Sequence, residues 1–434
     1  MILPDPSLPP EPSAKADRKG LVAWCVYDWA NTAFGTVIIT FIYAVYFAEG
    51  IIGDKTEGAA LWAYTIGFSG MAIALFSPIF GAIADHTGSR KPWLLFFTIL
   101  CAAATSMLWF GTPGMEGMSL LWLLLALAIA NFGLEMGITF YNAMLPDLVS
   151  QDYIGRLSGI AWGAGYFGGL ACLVVALFGL VGLGETAPFL TLSTENSEHL
   201  RAVAPLTALW LLLFSLPLFL FTPDRKSSGL PLGTAIKTGL HQLVHSIKSA
   251  KEHSNLAYYL VGSAIYRDGL NTLFTVGGVF AAGAYGMDFE EILIFAIGLN
   301  VTAGLGAAAF AYVDDKIGSK PTILMSLAGL TILSVMILMT YDKDTFMILG
   351  LALGIFVGPA QAAGRTLAGR LAPPDMVTQT YGLYAFTGKS ISFVGPLIYG
   401  LTTDLADSQR AGIASIIIFW VIGAALLLPV KEKP

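Results

Sequence analysis

Residues 21–47 read LVAWCVYDWANTAFGTVIITFIYAVYF, a run apolar and long enough to cross a bilayer, with one aspartate, Asp28, set inside it. A helix rises about 1.5 Å per residue, so roughly 20 apolar residues span the hydrocarbon core. An ionisable side chain at that depth is costly and persists where it has a partner or a task. Asn31 follows three positions later and shares a helix face with Asp28. The constellation returns in residues 266–274, YRDGLNTLF, so D-x-x-N-T-x-F occurs twice: Asp28, Asn31, Thr32, Phe34 and Asp268, Asn271, Thr272, Phe274. A rare pattern repeated in two long apolar stretches points to a duplicated membrane protein with a paired site.

The rest of the chain agrees. Of 434 residues, 56% are hydrophobic and 12% charged, and the mean hydropathy is +0.71; a soluble protein carries about 25% charged residues. Twelve stretches suit membrane helices, near 21–48, 60–84, 92–111, 119–142, 156–182, 203–222, 257–284, 289–312, 321–341, 345–368, 379–401 and 411–430. They are too long and continuous for the ~10-residue alternating strands of a barrel. The expected fold class is therefore all-α integral membrane, with twelve transmembrane helices in two pseudo-symmetric six-helix bundles. Most of the 23 lysines and arginines fall on the N-terminal side of the membrane, whereas the acidic residues show no such bias. Lysine and arginine set orientation, so both termini are expected in the cytoplasm.

The expected organisation is a disordered tail (1–20), a first bundle (21–222), a cytoplasmic connection (223–256), a second bundle (257–430) and a short tail (431–434). The first twenty residues hold five prolines and no apolar region, unlike a cleavable signal. In the connection, Ile236, Leu240, Leu243, Val244 and Ile247 form a helical stripe beside Lys237, Lys248 and Lys251, the pattern of a helix lying on the membrane surface. His241 and His245 have metal-binding spacing but no carboxylate or cysteine beside them, so no metal is expected. Cys25, Cys101 and Cys172 lie in separate apolar stretches and read as small packing residues. The net charge of −6 is spread over loops and gives no sign of a nucleic-acid partner.

The repeat extends further. GAIADHTGSRKP (81–92) follows the second span and AYVDDKIGSKP (311–321) follows the eighth. Asp85, Gly88, Ser89, Lys91 and Pro92 align with Asp315, Gly318, Ser319, Lys320 and Pro321. Matched loops on one membrane side describe a parallel repeat about an axis normal to the bilayer.

The string Gly81-x-x-x-Asp85-x-x-Gly88-x-Arg90-Lys91 resembles the signature that major facilitator superfamily transporters carry between spans two and three. YDWANTAF, RDGLNTLF, QAAGR (361–365) and YGLYAFTGKSISFVGP (381–396) are similar to the vacuole-effluxer-like, autophagy-related branch. The resemblance covers nearly the whole chain. It implies two bundles rocking around a central cavity lined by spans 1, 4, 7 and 10, with the signature loop helping to hold the cytoplasmic gate. On that basis Gly81, Asp85, Gly88, Arg90 and Lys91, with Asp315 and Lys320 in the second copy, are expected to act in gating. Eukaryotic members are associated with release of amino acids from the vacuole; the short loops here fit a compact prokaryotic member in the inner membrane.

The charges inside spans supply the candidate site. Asp28 and Asn31 in span one, and Asp268 and Asn271 in span seven, either face the cavity or hold helices together; cavity binding is the favoured reading. Glu135 in span four sits at a depth like that of Asp28, and two neighbouring carboxylates would suit a proton carrier. Arg267 points about 100° away from Asp268 and is expected to meet another helix. Lys389 in span eleven needs a partner, and Asp268, at similar depth, is the expected one. The string Gly388-Lys389-Ser390 lacks the spacing and preceding strand of a nucleotide loop. Gln361 and Arg365 mark the inner end of span ten, where they are placed to receive a carboxylate; Arg370 reads as an ordinary flank. Tyr27, Trp29, Phe34 and Tyr384 are the expected aromatic lining.

Together these features predict a secondary transporter or facilitator for a small polar solute, foremost an amino acid, working as a monomer without a cofactor. Proton coupling through Asp28 or Glu135 stands beside passive exchange. An exporter of drugs or amphipathic compounds is the alternative within transport, and a non-transporting sensor or assembly factor lies outside it. No histidine falls in a span and no nucleophile–base or metal set is present, so an enzyme is not expected.

Overall fold

The computed structural model describes residues 16–182, 187–228, 231, 233–239, 241, 254–287 and 289–432. The spanning helices are α1 (Arg18–Ile52), α2 (Lys55–Thr87), α3 (Lys91–Met107), α4 (Gly117–Leu148), α5 (Ile154–Ala176), α6 (Val203–Phe221), α7 (Ser254–Tyr285), α8 (Phe289–Ile317), α9 (Ser319–Met339), α10 (Lys343–Leu371), α11 and α12 (Gln409–Leu427). The eleventh is broken into α11a (Val377–Ile391) and α11b (Val394–Ala406). These twelve helices form two six-helix bundles. In the first, α1 packs on α5 and α6, and α3 on α4; in the second, α7 packs on α12, and α9 on α10 and α12. Large apolar side chains such as Phe110, Trp122, Leu220, Ile348 and Leu405 point outward, as a hydrocarbon solvent permits.

Local chemistry sets the helix ends. Asp17 caps α1, its carboxylate accepting the Gly20 N–H at 2.8 Å, so the first helix begins inside the stretch read as tail. Gly88 and Gly318 turn the chain between α2 and α3 and between α8 and α9 with φ of +85° and +96°, a region that L side chains rarely adopt. Pro92 and Pro321 follow in the first turns of α3 and α9, where a missing N–H costs nothing.

Two departures from the expected helices matter. Residues Phe34–Phe41 and Tyr46–Ile52 of α1 wind as π-helix, with the wider i→i+5 ladder. The eleventh span is interrupted at Ser392–Phe393 where a continuous helix was expected over 379–401. Of the predicted surface helix, residues 233–239 are helical; Lys248, Lys251 and His245 lie outside the described residues.

The bundles meet along two equivalent seams, α2 with α11a and α5 with α8. Small residues allow this: a Cβ added at Gly159 would lie 2.6 Å from the Ala307 carbonyl, and one at Gly81 would lie 2.7 Å from that of Thr378. The seams close only at the end carrying the α2–α3 and α8–α9 turns. Toward the other end of α2, Gly67 and Gly70 face open space. The molecule is thus shut at one end and open at the other.

Candidate functional site

Between the bundles lies a cavity of about 1810 Å³. Its wall is mostly apolar, with Trp62, Phe68, Met71, Phe274, Phe386 and Phe393 among its side chains. On α1 the lining runs from Asp28 to Phe41, through the π-helical stretch, and on α10 it ends at Arg365. Asp28 and Arg365 therefore form the floor, next to the closed end.

There the two bundles are joined by an ion pair. Arg365 Nη1 donates to Asp28 Oδ2 at 2.8 Å. The same guanidinium donates through Nε to the Ser158 hydroxyl at 3.0 Å and through Nη2 to the Ser158 carbonyl at 2.6 Å. Asn31 Nδ2 donates to Asp28 Oδ1 at 3.2 Å. Arg365 is 1% exposed and stacks on Trp162, 4.8 Å from the ring centroid. Desolvating two charges is expensive and is offset only by such complete hydrogen bonding. One turn away, Gln361 Oε1 accepts from Trp162 Nε1 at 3.1 Å and from the Tyr166 hydroxyl at 2.7 Å.

A second cross-bundle pair lies at the cavity wall: Lys389 Nζ donates to Glu135 at 2.7 Å. This corrects the expected pairing of Lys389 with Asp268. It also changes the reading of Asp28 and Glu135 as two neighbouring carboxylates, because each has its own cation from the other bundle.

Asp268 and Asn271 do not line the cavity among the described residues. Asp268 is buried against α11b, where its Oδ2 accepts the Gly395 N–H at 2.8 Å; Asn271 is exposed. Arg267 turns to α11a, donating to the Tyr384 carbonyl at 3.1 Å and lying over that ring at 3.9 Å. The expected aromatic lining is also corrected. Tyr27 and Phe34 belong to the first bundle's core, Trp29 stacks with Trp210 on the far side of α1, and Tyr384 is occupied by Arg267 and Tyr259. Trp62, Trp162, Tyr166 and Phe386 take their place.

The gating candidates assemble at the closed end in two matched sets. Asp85 accepts the N–H groups of Thr378 and Gln379 at 2.9 and 2.8 Å, capping α11a of the opposite bundle. Asp315 accepts the N–H of Arg156 at 2.9 Å, near the start of α5, again across the seam. Lys91 donates to the Phe219 carbonyl at the end of α6 at 3.0 Å; Lys320 donates to those of Leu428 and Val430 at the end of α12 at 2.7 and 2.8 Å. Arg90 bonds the Thr378 hydroxyl at 3.0 Å and pairs with Asp147.

Several members escaped sequence reasoning. Asp224 and Glu432 accept the first N–H groups of α3 and α9, Arg225 pairs with Asp147, and Arg370 bridges Asp314 and Glu432 at 2.9 and 2.6 Å. Arg370 is therefore no ordinary flank. The available signal was position: Asp147 and Arg370 lie in the last turns of α4 and α10, and Arg225 and Glu432 follow α6 and α12, the corresponding helices of the two halves.

The comparisons agree with this architecture. A family profile described as "Vacuole effluxer Atg22 like" matches residues 152–433, and one described as "Major Facilitator Superfamily" matches residues 3–172. An uncharacterized MFS-type transporter, YxiO, of Bacillus subtilis is 27% identical over 95% of this chain and 94% of its own length. Autophagy-related protein 22 of Kluyveromyces lactis is 24% identical over 85% of this chain and 78% of its own. Among solved structures, the proton:xylose symporter XylE superposes with a TM-score of 0.69 at 14% identity, covering 95% of this chain and 96% of that one. A bacterial homologue of the iron transporter ferroportin in an outward-facing state also reaches 0.69 at 14% identity, over 95% and 98% of the two chains. Two bundles, two equivalent seams and a cavity shut at the signature-loop end are the architecture of that superfamily, and the chain belongs to its vacuole effluxer Atg22-like family, as a membrane transporter and not an enzyme.

Proposed function

We propose that the protein carries a small zwitterionic solute, most simply an amino acid, by alternating access between two rocking halves, residues 21–222 and 257–430. The observation carrying this reading is the pair of cross-bundle ion pairs, Asp28–Arg365 and Glu135–Lys389, one at the floor of the cavity and one at its wall. In both, the acid comes from the first bundle and the base from the second. A solute with an ammonium and a carboxylate exchanges into such pairs: its ammonium replaces the base on Asp28 or Glu135, and its carboxylate replaces the acid on Arg365 or Lys389. Total charge in the low-dielectric site is conserved, so little extra desolvation is incurred. Exchanging these bonds loosens the bundles from each other, which is the differential interaction a conformational change requires.

The family's description as vacuole effluxers supports movement of a solute across the membrane, and the resemblance to eukaryotic members associated with amino-acid release supports the amino-acid class. The closed end carries the basic turns, so we place it in the cytoplasm by the positive-inside rule, with Asp85, Arg90, Lys91, Asp315 and Lys320 as its gate. Uptake and counterflow in proteoliposomes with labelled amino acids, with and without a pH gradient, test the proposal. Accumulation abolished by a protonophore means proton coupling, exchange without accumulation means a facilitator, and no movement of any amino acid defeats the substrate class.

One observation favours a second reading, export of amphipathic compounds. The cavity, at about 1810 Å³, exceeds the ~300–1,000 Å³ of ordinary small-ligand sites, and its outer wall is apolar and aromatic. Transport of hydrophobic cations with no movement of amino acids would select it.

A further inference from the structure

Asp28, Glu135 and Asp268 are acidic side chains set inside spans one, four and seven, and the first two each have a cation. Asp28 is held by Arg365 and Glu135 by Lys389. Asp268 differs. It is 1% exposed, its Oδ2 has the Gly395 N–H, and its Oδ1 has no hydrogen-bond partner among the described residues.

The charged and titratable groups on α7 and on the elements packed against it are committed elsewhere. On α7 itself, Arg267 is taken by Tyr384. On α11a, Lys389 is bonded to Glu135, and on α10, Arg365 is bonded to Asp28. From α12, Arg410 lies over Tyr285 and Tyr341, while Trp420 packs on Gly269. From α11b comes Tyr399, buried and uncharged. The positive end of α11b supplies one hydrogen bond and part of a charge. A carboxylate buried without a full counter-charge is relieved by a proton, which removes the charge rather than balancing it.

Asp268 also sits at the break in the eleventh span. Gly395 is the second residue of α11b, and its missing side chain is required there: a Cβ would lie 3.1 Å from Asp268 Oδ1 and collide with the Thr272 hydroxyl. Ser390, Ser392, Phe393 and Pro396, which flank the break, all line the cavity. The carboxylate therefore stands just behind the wall, at the junction between the half-helix it caps and the half-helix carrying Lys389.

We propose that Asp268 is a proton-binding site of this transporter, and that the break in α11 is the joint through which its occupancy is felt at Lys389. The proton adds to Oδ1, forming one O–H bond and leaving a neutral acid that still accepts from Gly395 through Oδ2. Release of the proton restores a charge that holds the α11b N-terminus tightly and so resists movement of the joint. The proposal rests on the transport reading and adds a coupling residue to it.

The test needs no substrate, so it fails or succeeds separately from the amino-acid proposal. Infrared difference spectra between acid and alkaline pH, taken on the full chain in liposomes, report protonated carboxyl groups by their C=O stretch. The expected result is a titrating band in wild type and in Glu135→Gln that is lost in Asp268→Asn, whose amide oxygen still accepts from Gly395. Gly395→Ala, which keeps the acid and spreads the cap, is expected to move the midpoint of that band. A band unchanged in folded Asp268→Asn overturns the proposal. So does a band that sodium ions displace at fixed pH, which would make this a metal-cation site. If Asp268→Asn does not fold, Gly395→Ala decides, and a midpoint equal to wild type overturns the assignment.

Discussion

Residues 28–34 and 268–274 carry the same four side chains at the same spacing, yet they are connected to different parts of the molecule. Asp28 reaches across the bundle interface to Arg365. Asp268 stays within its own bundle and takes a backbone N–H of α11b. Asn31 bonds Asp28 and lines the cavity, whereas Asn271 faces away from it. The turns after α2 and α8 have diverged far less: each sends an aspartate to a helix N-terminus of the opposite bundle and a lysine to the last carbonyls of a helix in its own. The proposed gate bonds mainly to backbone groups, which every helix end possesses whatever its sequence. The proposed solute site needs particular side chains, and the symmetric partner is missing: α4, the counterpart of α10, has no lysine or arginine along its length. With no cation to meet, the second copy of the motif is free for another task.

The largest effect that tests this asymmetry comes from Arg365→Ala. It strands Asp28 as a buried, unpaired charge, and removing one member of such a pair costs about 3–5 kcal/mol. We expect a large fall in the unfolding temperature in detergent and loss of transport. Asp268→Asn, by contrast, keeps its one hydrogen bond and is expected to change stability by less than about 1 kcal/mol. Equal losses from the two substitutions would mean that Asp268 has an ionic partner after all. Gly395→Ala falls between them, at about 1–3 kcal/mol, because it forces a side chain into a filled gap.

Smaller changes address the gate. Asp85→Ala and Asp315→Ala each remove an interbundle cap, worth about 1 kcal/mol, or roughly a fivefold shift toward opening of the closed end. Thr380→Cys, at a fully buried position on α11a, gives the readout, since maleimide reaches it only when that end opens. Each aspartate substitution also removes an ion pair, Asp85 with Arg90 at 4.0 Å and Asp315 with Arg156 at 3.2 Å. Asp85→Ala is expected to have the larger effect, because Arg90 is buried whereas the Arg156 side chain is 38% exposed.

Much of this is legible in the sequence. Apolar length defines the helices and the repeated D-x-x-G-S turn fixes their pairing, because each signal is local and periodic. Asp28, Gln361, Arg365 and Lys389 were recognisable as ionisable or polar groups inside apolar runs, and all four reach the cavity. Their partners were not legible. Lys389 and Asp268 share one bundle and a similar depth, but depth along a helix does not fix the direction around it, and the break at Ser392–Phe393 separates Lys389 on α11a from the Gly395 on α11b that meets Asp268. That break has no proline or glycine at its centre; Gly395 lies just beyond it, and its close approach to Asp268 is visible only in three dimensions. The aromatic lining failed for the same reason: Tyr27, Trp29 and Phe34 share a helix with Asp28 but point elsewhere.

The smallest expected effect separates the two cross-bundle pairs from each other. The side chains of Lys389 and Glu135 are 28% and 26% exposed, against 1% and 9% for Arg365 and Asp28. Partly hydrated charges gain less from pairing and are screened by salt, so a double-mutant cycle of Glu135→Gln with Lys389→Met should give a coupling of about 0.2–1 kcal/mol. It should shrink between low and high ionic strength. The cycle of Asp28→Asn with Arg365→Met should be severalfold larger and insensitive to salt. That difference orders the steps of solute entry, since a group arriving from the open end meets the looser pair at the wall before the tighter one at the floor. Equal couplings would remove that order and leave both pairs as plain struts between the bundles.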